Sequence, residues 1–405
     1  MVGSSAPREA WIVEAVRTPI GRLGGLLSSV RPDDLLAHSL RSVVERAGVD
    51  PSEVEEVVAG CANQAGEDNR NVARMALLLA GFPDHVPGLT VNRLCASGLA
   101  AVTHAYRSIK LGEAEVVVAG GVESMSRAPY VMAKPDAPFK RGAPEIADTS
   151  LGWRFVNPVL AAMHPPIPMG ETAERLVDRY GITRQAQDDF ALRSHRLALQ
   201  AWDEGRYEDH VVPVEVTIRR QTTVVERDEG PRPDTSREAL DRLKPAFRDD
   251  GTVTAGNSSS LNDGAGAVLV ASTEACDRLG LTPLARIVST AQAGVDPSEM
   301  GIGPVPATQT ALKRAGWDLN ELDTVEINEA FAAQCLAVLE ELPIPLSKVN
   351  PDGGAIALGH PLGMSGIRLV ATVAHRMRRD PSIRRGLATA CVGVGQGESI
   401  LLERI

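Results

Sequence analysis

The sequence predicts an α/β protein made of two copies of one structural plan with a different segment inserted between them. Helix-periodic segments each lead into a short apolar run that ends in glycines, which is typical of α/β layering. A stretch near the start of the chain recurs near its end, and a proline-rich, charged region separates the two. At 405 residues, the chain is longer than one compact domain usually is.

The internal repeat relates residues 46–64 to residues 314–332 at a constant shift of 268 positions. The identical positions are Arg46, Ala47, Gly48, Asp50, Glu53 and Val57, which match Arg314, Ala315, Gly316, Asp318, Glu321 and Val325. At the same shift, Ser97-Gly98 corresponds to Ser365-Gly366. Six identities and a distant dipeptide favour a duplication over chance similarity between two α/β segments.

Each Ser-Gly pair begins a predicted helix that leads into a buried strand. We predict a helix over 99–110 and a strand over 115–124 in the first copy, and a helix over 367–379 followed by the strand LATACVGVGQG in the second. In the inserted segment one helix is predicted over 183–204, with Thr183 as its N-cap and Gly205 after its end. These elements divide the chain into an N-terminal half (1–126, completed by 255–283), an inserted loop domain (127–254) and a C-terminal half (284–405).

The composition restricts the class of function and the compartment. A net charge of -10 argues against a nucleic-acid-binding protein. The cysteines show no CxxC spacing, so we expect neither a structural metal site nor disulfides but free thiols in a reducing compartment; they are Cys61, Cys95, Cys276, Cys335 and Cys391. No apolar run is long enough to span a membrane, and the N-terminus has no signal-peptide pattern, so we expect a cytoplasmic protein.

The motif VNRLCASGLAAV, residues 91–102, places Cys95 between a strand that ends near Asn92 and a helix that begins around Gly98. A thiol at a helix N-terminus is close to the positive end of the helix dipole, and the free amides there can hold an anion. A lone cysteine is more often a small buried apolar residue. Both a catalytic and a structural interpretation of Cys95 therefore stay open on local evidence.

The glycine-rich motif VNPDGGAIALGHPLGMSGIRL, residues 349–369, contains His360 directly before Pro361. Glycines leave little side-chain cover, so a ligand can approach the backbone closely. A histidine in a loop is often only a hydrogen-bonded polar residue. One that is framed by five glycines and a proline is more consistent with a catalytic base.

Two further motifs each place a polar residue at the end of a predicted strand. CVGVGQGES puts Cys391 at a chain reversal, although a buried core cysteine is the simpler interpretation of that residue alone. EINEAFAAQ puts Asn328 and Glu329 between an apolar strand and a helix. Asn328 is an equally good candidate for a helix N-cap.

Taken together, VNRLCASG, NEAFAAQ, GGAIALGHPLGMSG and CVGVGQG, in this order, closely resemble the thiolase family, and the resemblance runs from Ile12 to the last strand. It implies the thiolase fold: two duplicated βαβαβαββ halves in a five-layered αβαβα arrangement, related by a pseudo-twofold axis, with an inserted loop domain. It also implies a CoA-dependent acyltransferase whose substrates are coenzyme A and acetyl-CoA, with no permanently bound cofactor. A homodimer or homotetramer is the assembly usual in the family.

The resemblance further implies a role for each site residue. Cys95 is the nucleophile, His360 its base, and Cys391 the acid/base that exchanges a proton with the α-carbon of acetyl-CoA. His360 and a water held by Asn328 would form one oxyanion pocket, and the backbone N–H groups of Cys95 and Gly393 the other. TVTAGNSSSLNDGAGAVL, residues 252–269, is similar to the CoA-contacting stretch of the family. The candidate CoA-binding residues are Ser259, Ala255, Gly256, Met169 and Arg220, with Arg219 and Arg227 as further phosphate candidates unless these arginines only form a solvated charged face.

One departure from the family pattern concerns the substrate. Many short-chain members have His-Met-Gly where this chain has Pro168-Met169-Gly170, and SRAPYVM, LGWRFVNP and DEGPRPDTS are more similar to degradative members. We expect a 3-ketoacyl-CoA thiolase of the kind used in fatty acid metabolism and β-oxidation. Acetyl-CoA acetyltransferase and 3-oxoadipyl-CoA thiolase of aromatic catabolism are the alternatives.

Three other functions are disfavoured by particular residues. A ketoacyl-ACP synthase would have a second histidine where NEAF stands and would lack Cys391. A non-catalytic thiolase-like lipid- or CoA-binding protein would have lost Cys95, His360 or Cys391. A cysteine hydrolase would pair His360 with an orienting carboxylate rather than with a second thiol.

Overall fold

The computed structural model describes residues 8–218 and 220–405. The strands are β1 (Ala10–Arg17), β2 (Gly21–Arg22), β3 (Glu56–Gly60), β4 (Gly88–Val91), β5 (Val116–Ser124), β6 (Tyr130–Met132), β7 (Ile146–Asp148), β8 (Val214–Ile218), β9 (Gln221–Val225), β10 (Asn262–Ser272), β11 (Ala285–Gly294), β12 (Thr324–Ile327), β13 (Arg385–Val392) and β14 (Gln396–Glu403). The helices are α1 (Pro32–Ala47), α2 (Val72–Leu79), α3 (Ser97–Leu111), α4 (Pro158–Met163), α5 (Met169–Tyr180), α6 (Arg184–Asp203), α7 (Arg237–Asp241), α8 (Thr273–Leu279), α9 (Pro304–Ala315), α10 (Ala332–Glu341), α11 (Ala355–Leu358) and α12 (Leu362–Arg379). None of the described helices is both long and apolar enough to cross a membrane.

The sheet confirms the predicted duplication. Across the described residues its strand order is β12-β13-β14-β11-β1-β10-β5-β3-β4, with β2 beside β10. Outward from the centre, β1, β10, β5 and β3 on one side correspond to β11, β14, β13 and β12 on the other. The two sets join only where Ala10–Ile12 pairs with residues 285–287. In each half the two outer strands of this series pair in parallel and the next pair is antiparallel.

The repeated sequence has a structural reason at the ends of α1 and α9. Gly48 and Gly316 follow these helices with φ values of 68° and 67°, the left-handed conformation that favours glycine. A short 3₁₀ turn comes next in both halves: the Asp50 carboxylate accepts from the Ser52 amide at 2.8 Å in the first, and the Asp318 amide donates to the Glu321 carboxylate at 2.7 Å in the second. The repeat therefore encodes the same helix end, turn and strand entry twice.

The helices lie in three layers: one lies between the strands of the first half and those of the second, and the other two cover the outer faces of these strands. Helices α3 and α12 share one core cluster with strands of both halves, through residues such as Leu99, Val102, Ile367 and Val370. Helix α1 packs on the opposite face of the first half through Leu36 and Leu40, and α9 and α10 cover the second half. The predicted αβαβα order is confirmed.

The starts of the two central helices touch each other. A Cβ on Gly366 would overlap the backbone nitrogen of Leu99, and a Cβ on Gly98 would lie 2.8 Å from the nitrogen of Ile367. Only glycine permits this approach, so the two Ser-Gly pairs of the repeat meet at the crossing. Helix α12 begins at Leu362, five residues before the predicted start, because this packing stabilises a glycine-rich first turn that has weak helical propensity.

In the inserted segment the predicted helix is present as α6. The Thr183 hydroxyl accepts a hydrogen bond from the Ala186 amide at 3.1 Å, and Gly205 follows with a φ of 70°. The β8–β9 hairpin packs through Val214, Val216 and Val225 onto the cluster that contains α1.

Candidate active site

Cys95 lies in a short 3₁₀ turn, residues 94–96, between β4 and α3. The hydroxyl of Ser97 accepts a hydrogen bond from the Arg93 amide at 2.9 Å and donates one to the Leu94 carbonyl at 2.7 Å. Leu94 itself has a φ of 44°, which turns the chain sharply before the helix. The predicted position of the thiol, between a strand and a helix N-terminus, is the one that the structure shows.

The Cys95 thiol is protonated in the free protein at neutral pH. Burial raises its pKa to about 11, and the buried carboxylate of Glu123 also raises it. The backbone N–H groups of Gly393 and of Cys95 itself point to the sulfur and lower the pKa, which only partly offsets burial. Such a thiol needs a base to become a nucleophile, and the two N–H groups can also hold an oxyanion.

His360 supplies a neutral imidazole at the start of α12. Its Nδ1 lies 2.6 Å from the Ser365 hydroxyl, which donates its own hydrogen to the Pro361 carbonyl at 2.9 Å. Nδ1 must therefore carry the ring hydrogen, and Nε2 has an acceptor lone pair. Burial, with a smaller contribution from Arg368, lowers the pKa of His360 to about 3. The imidazole is thus neutral at neutral pH, and Nε2 is its unprotonated nitrogen.

Asn328 lies directly after β12 and contacts this base. Its Nδ2 is 3.2 Å from Nε2 of His360, and its Oδ1 is 3.5 Å from Nη2 of Arg368. The alternative that Asn328 is a helix N-cap is wrong, because α10 begins at Ala332 and Phe331 occupies the N-cap position. The structure therefore brings Asn328 and His360 together, as the oxyanion pocket requires.

Cys391 is fully buried near the end of β13, opposite Gly397 of β14. Burial raises the pKa of its thiol far above the usual range, and the neighbouring Cys95 raises it further. A third thiol, that of Cys335 in α10, lies 3.8 Å from the carbonyl oxygen of Asn328. Cys391 is thus both a core residue and a neighbour of the candidate nucleophile.

Glu123 connects the two halves of the site, a role that no sequence motif indicated. Its carboxylate accepts hydrogen bonds from the amides of Ala62 and Asn63 at 3.0 Å, and from the amide of Gly363 at 2.9 Å. Burial raises the pKa of Glu123 to about 7. The carboxylate therefore holds the loop after β3 and the first turn of α12 to the end of β5, beside Cys95.

Two of the candidate CoA-binding residues contact chain segments next to the candidate catalytic residues, which are Cys95, His360, Asn328 and Cys391. The Ser259 amide donates to the Ala330 carbonyl at 3.0 Å, which joins the 252–269 stretch to the turn after Asn328. The Met169 sulfur at the start of α5 lies 3.4 Å from the position that a Cβ on Gly393 would take. Ala255 is exposed and Gly256 half-buried on the same stretch as Ser259.

The arginine candidates are placed differently. Arg220 is exposed at the tip of the β8–β9 hairpin, and no contact in the described part of the chain joins it to the catalytic group. Arg227 lies over the Trp202 ring at 5.4 Å and within 4.0 Å of Asp203, as in a solvated charged face. Arg219 lies outside the described residues.

The arrangement is suited to transfer of an acyl group through a thioester. A thiol that needs a base is linked through Glu123 to the turn that follows a neutral imidazole, two backbone donors point at its sulfur, and a second thiol is its neighbour. The whole chain matches one family: residues 10–274 match the model described as "Thiolase, N-terminal domain", and residues 281–404 match "Thiolase, C-terminal domain". The chain belongs to the thiolase family. Thiolases are acyltransferases, so the predicted class of enzyme is confirmed.

Several characterised thiolases are similar to this one along its whole length. It is 57% identical over 98% of its length to all of the "Beta-ketoadipyl-CoA thiolase" of Pseudomonas aeruginosa. The "3-oxoadipyl-CoA/3-oxo-5,6-dehydrosuberyl-CoA thiolase" of Escherichia coli is 52% identical, again over 98% of this chain and 100% of that protein. The "Acetyl-CoA acetyltransferase" of Pseudomonas aeruginosa is 47% identical over 97% of this thiolase and 98% of its own length.

A solved structure gives the same fold. Human mitochondrial 3-ketoacyl-CoA thiolase in complex with CoA superimposes with a TM-score of 0.91 and 43% identity, over 98% of each chain. This likeness confirms the expected thiolase fold.

Proposed function

We propose that this thiolase cleaves 3-oxoadipyl-CoA with free CoA to give acetyl-CoA and succinyl-CoA. The observation that carries the proposal is the similarity to proteins named for β-ketoadipyl-CoA, which exceeds the similarity to an acetyl-CoA acetyltransferase over the same span. This similarity favours 3-oxoadipyl-CoA, the alternative substrate considered in the sequence analysis, over a 3-ketoacyl-CoA of β-oxidation.

A departure at the start of α5 supports this substrate. Pro168 is the N-cap of α5, where many short-chain members have a histidine, and Met169 next to it lies against the Gly393 turn. An imidazole that would contact a short acyl group is therefore replaced by a proline ring. The pocket beside the reacting carbon differs from that of short-chain members at this position.

The proposed reaction begins at Cys95. His360 accepts the thiol proton at Nε2, and the thiolate attacks the 3-keto carbon, whose oxygen becomes an oxyanion held by the N–H groups of Cys95 and Gly393. The bond between C2 and C3 then breaks. The electron pair stays on C2, which takes a proton from Cys391, and acetyl-CoA leaves.

The second half of the reaction releases the shortened acyl group. Cys95 now carries a succinyl thioester, and the thiolate of Cys391 takes a proton from the thiol of incoming CoA. The CoA sulfur attacks the thioester carbonyl, the Cys95–acyl bond breaks, and succinyl-CoA departs. Cys95 leaves as a thiolate that recovers its proton from His360, so protons and electrons balance over the cycle. His360 and Asn328 hold the thioester oxygen of the acetyl unit when it carries negative charge.

The proposal includes a homo-oligomer in the cytoplasm. Large apolar side chains are exposed along the β6–β7 hairpin and the chain that follows it, which is typical of a surface covered by another subunit; they are Tyr130, Met132, Phe139, Ile146, Phe155, Val159 and Met163. All five cysteines are free thiols, which fits a reducing compartment.

The test is thiolysis of three substrates side by side with free CoA: acetoacetyl-CoA, a medium-chain 3-ketoacyl-CoA and 3-oxoadipyl-CoA. We expect kcat/KM to be highest for 3-oxoadipyl-CoA, with acetyl-CoA and succinyl-CoA formed in equal amounts. The Cys95→Ala variant serves as the blank for each substrate, and Cys276→Ala, which removes a thiol of α8, is the matched control that keeps activity. A higher kcat/KM with acetoacetyl-CoA would assign the chain to the acetyl-CoA acetyltransferase branch instead.

A further inference from the structure

A buried and loosely paired arginine lies behind the candidate oxyanion pocket. Arg368 is 0% exposed in the middle of α12. Its Nη1 is 3.4 Å from Glu326 and its Nη2 is 3.5 Å from Asn328, both long for a charged donor, and its Nε is without a partner among the described residues. A fully buried cation is costly unless it is well paired, so packing alone does not account for an arginine at this position.

A second arginine on the same helix shows what a structural pairing looks like. Arg376 bonds Thr324, Glu326 and Asp352, each at 2.7 Å. It occupies the other carboxylate oxygen of Glu326, so Arg368 shares its carboxylate partner with a cation that is bonded more closely. Arg368 lies between this shared carboxylate and the amide of Asn328.

The chemistry of a guanidinium decides which way the amide of Asn328 points. A guanidinium has donors only, so the atom that faces Nη2 must be the amide oxygen. The amide nitrogen then faces His360 and donates to the lone pair of Nε2 at 3.2 Å. If the amide were reversed, its NH₂ group would face the guanidinium, and its oxygen would face a lone pair.

We infer that Arg368 is a positioning residue, which fixes the orientation of the Asn328 amide and keeps a positive charge behind the pocket where the thioester oxygen becomes negative. The inference rests on the proposed roles of Asn328 and His360. Electrostatic donors that are fixed before the reaction stabilise developing charge more than donors that must reorient. The same cation adds to burial in keeping His360 neutral.

The test compares Arg368→Met and Arg368→Lys with Arg376→Met, measured with the 3-ketoacyl-CoA that the wild-type enzyme cleaves fastest. For Arg368→Met we expect kcat to fall by about 10², the size of one lost oxyanion donor, while KM changes by less than about threefold. Arg368→Lys retains the charge but cannot reach Glu326 and Asn328 together, so its kcat should fall by about tenfold. Arg376→Met should lower Tm but keep kcat within about threefold of wild type, because Arg376 does not contact Asn328.

A double-mutant cycle separates positioning from general damage. Because Arg368 acts through Asn328, adding Arg368→Met to Asn328→Ala should lower kcat by less than about threefold more. The inference is overturned if Arg368→Met lowers kcat as strongly in the Asn328→Ala background as it does in the wild-type enzyme. It is also overturned if Arg368→Lys has wild-type kcat. The Arg368→Lys result decides the matter if Arg368→Met does not fold. Failure of 3-oxoadipyl-CoA as a substrate would overturn only the proposed function, since acetoacetyl-CoA then serves for the same comparison.

Discussion

The two central helices begin at corresponding places in the duplicated fold, yet the residues before them do different work. At the shift of 268 positions, His360 of the second half corresponds to Asn92 of the first. The Asn92 amide closes its own turn by accepting from Leu94 and holds that turn to the loop after β3 by donating to Ala62, both at 2.9 Å. His360 instead faces Asn328 through Nε2, whose lone pair accepts from the Asn328 amide at 3.2 Å. The two halves share the backbone conformation, and only the second half has a side chain at this position that can act as a base.

Three residues further along the chain the roles are exchanged, because there the first half has the candidate catalytic residue and the second half the structural one. Cys95 corresponds to Gly363 at the same shift, and Glu123 corresponds to Cys391. Gly363 is tied to Glu123 by a hydrogen bond from its amide, whereas Cys95 has Cys391 as its neighbour. At one of the two equivalent places, the hydrogen bond between Glu123 and Gly363 forms a structural joint; at the other, the Cys95 and Cys391 thiols are neighbours. The duplication brings corresponding residues together at both places, but catalysis uses only the pair of thiols.

The largest loss of activity should come from replacing His360 of the second half by asparagine, the residue that the first half has at the equivalent position 92. His360→Asn removes the base and one donor of the oxyanion pocket, so we expect kcat/KM for thiolysis to fall by about 10⁴, the upper end for general acid–base catalysis. His104→Asn is the control, because His104 lies on α3 and, among the residues that the structure describes, pairs only with Glu56 at 3.2 Å. A loss below about tenfold would remove His360 from the role of base.

The next effect separates the two thiols. In Cys391→Ser the hydroxyl is a much weaker acid than a thiol, so thiolysis should fall by about 10³. Exchange of label between acetyl-CoA and free CoA needs a proton from Cys391 only on the CoA sulfur, which is far less basic than the C2 carbanion, so this exchange should fall much less. Equal loss in both assays would mean that Cys391 supports Cys95 structurally and exchanges no proton with the α-carbon.

The sequence predicted the frame of this site better than its internal contacts. The turn at Cys95, the helix after it and the duplication all follow from patterns within a few residues, such as Gly48 and Gly316 at helix ends. The hydrogen bond between Glu123 and Gly363 joins residues 240 positions apart, and that between Arg368 and Asn328 joins residues 40 positions apart. No local periodicity signals such contacts, so the roles of Glu123 and Arg368 were missed.

A smaller effect tests the helix crossing that brings the two ends together. A Cβ in Gly366→Ala would overlap the backbone of Leu99, which cannot move without separating α3 from α12. We expect a loss of about 3 kcal/mol in the free energy of unfolding, the upper end for overpacking, together with reduced activity. Gly316→Ala is the control: its Cβ would meet nothing within 4 Å, and its φ of 67° should cost only about 1 kcal/mol. Equal Tm values for the two variants would show that the crossing is adaptable.

The smallest effect concerns the structural joint and depends on pH. Burial raises the pKa of Glu123 from 4.5 to about 7, so the folded protein holds a proton there that the unfolded chain has lost between these values. This group therefore favours folding most at the acid end, and its contribution declines as the pH rises from about 4.5 to 7. Glu123→Gln does not titrate, so the Tm of wild type minus that of the variant should be larger at pH 5.5 than at pH 8. Thermal unfolding of both proteins at the two pH values measures this difference. A constant difference would mean that the carboxylate stays ionised, held by its three amide donors, and that the joint is as insensitive to pH as the rest of the backbone frame.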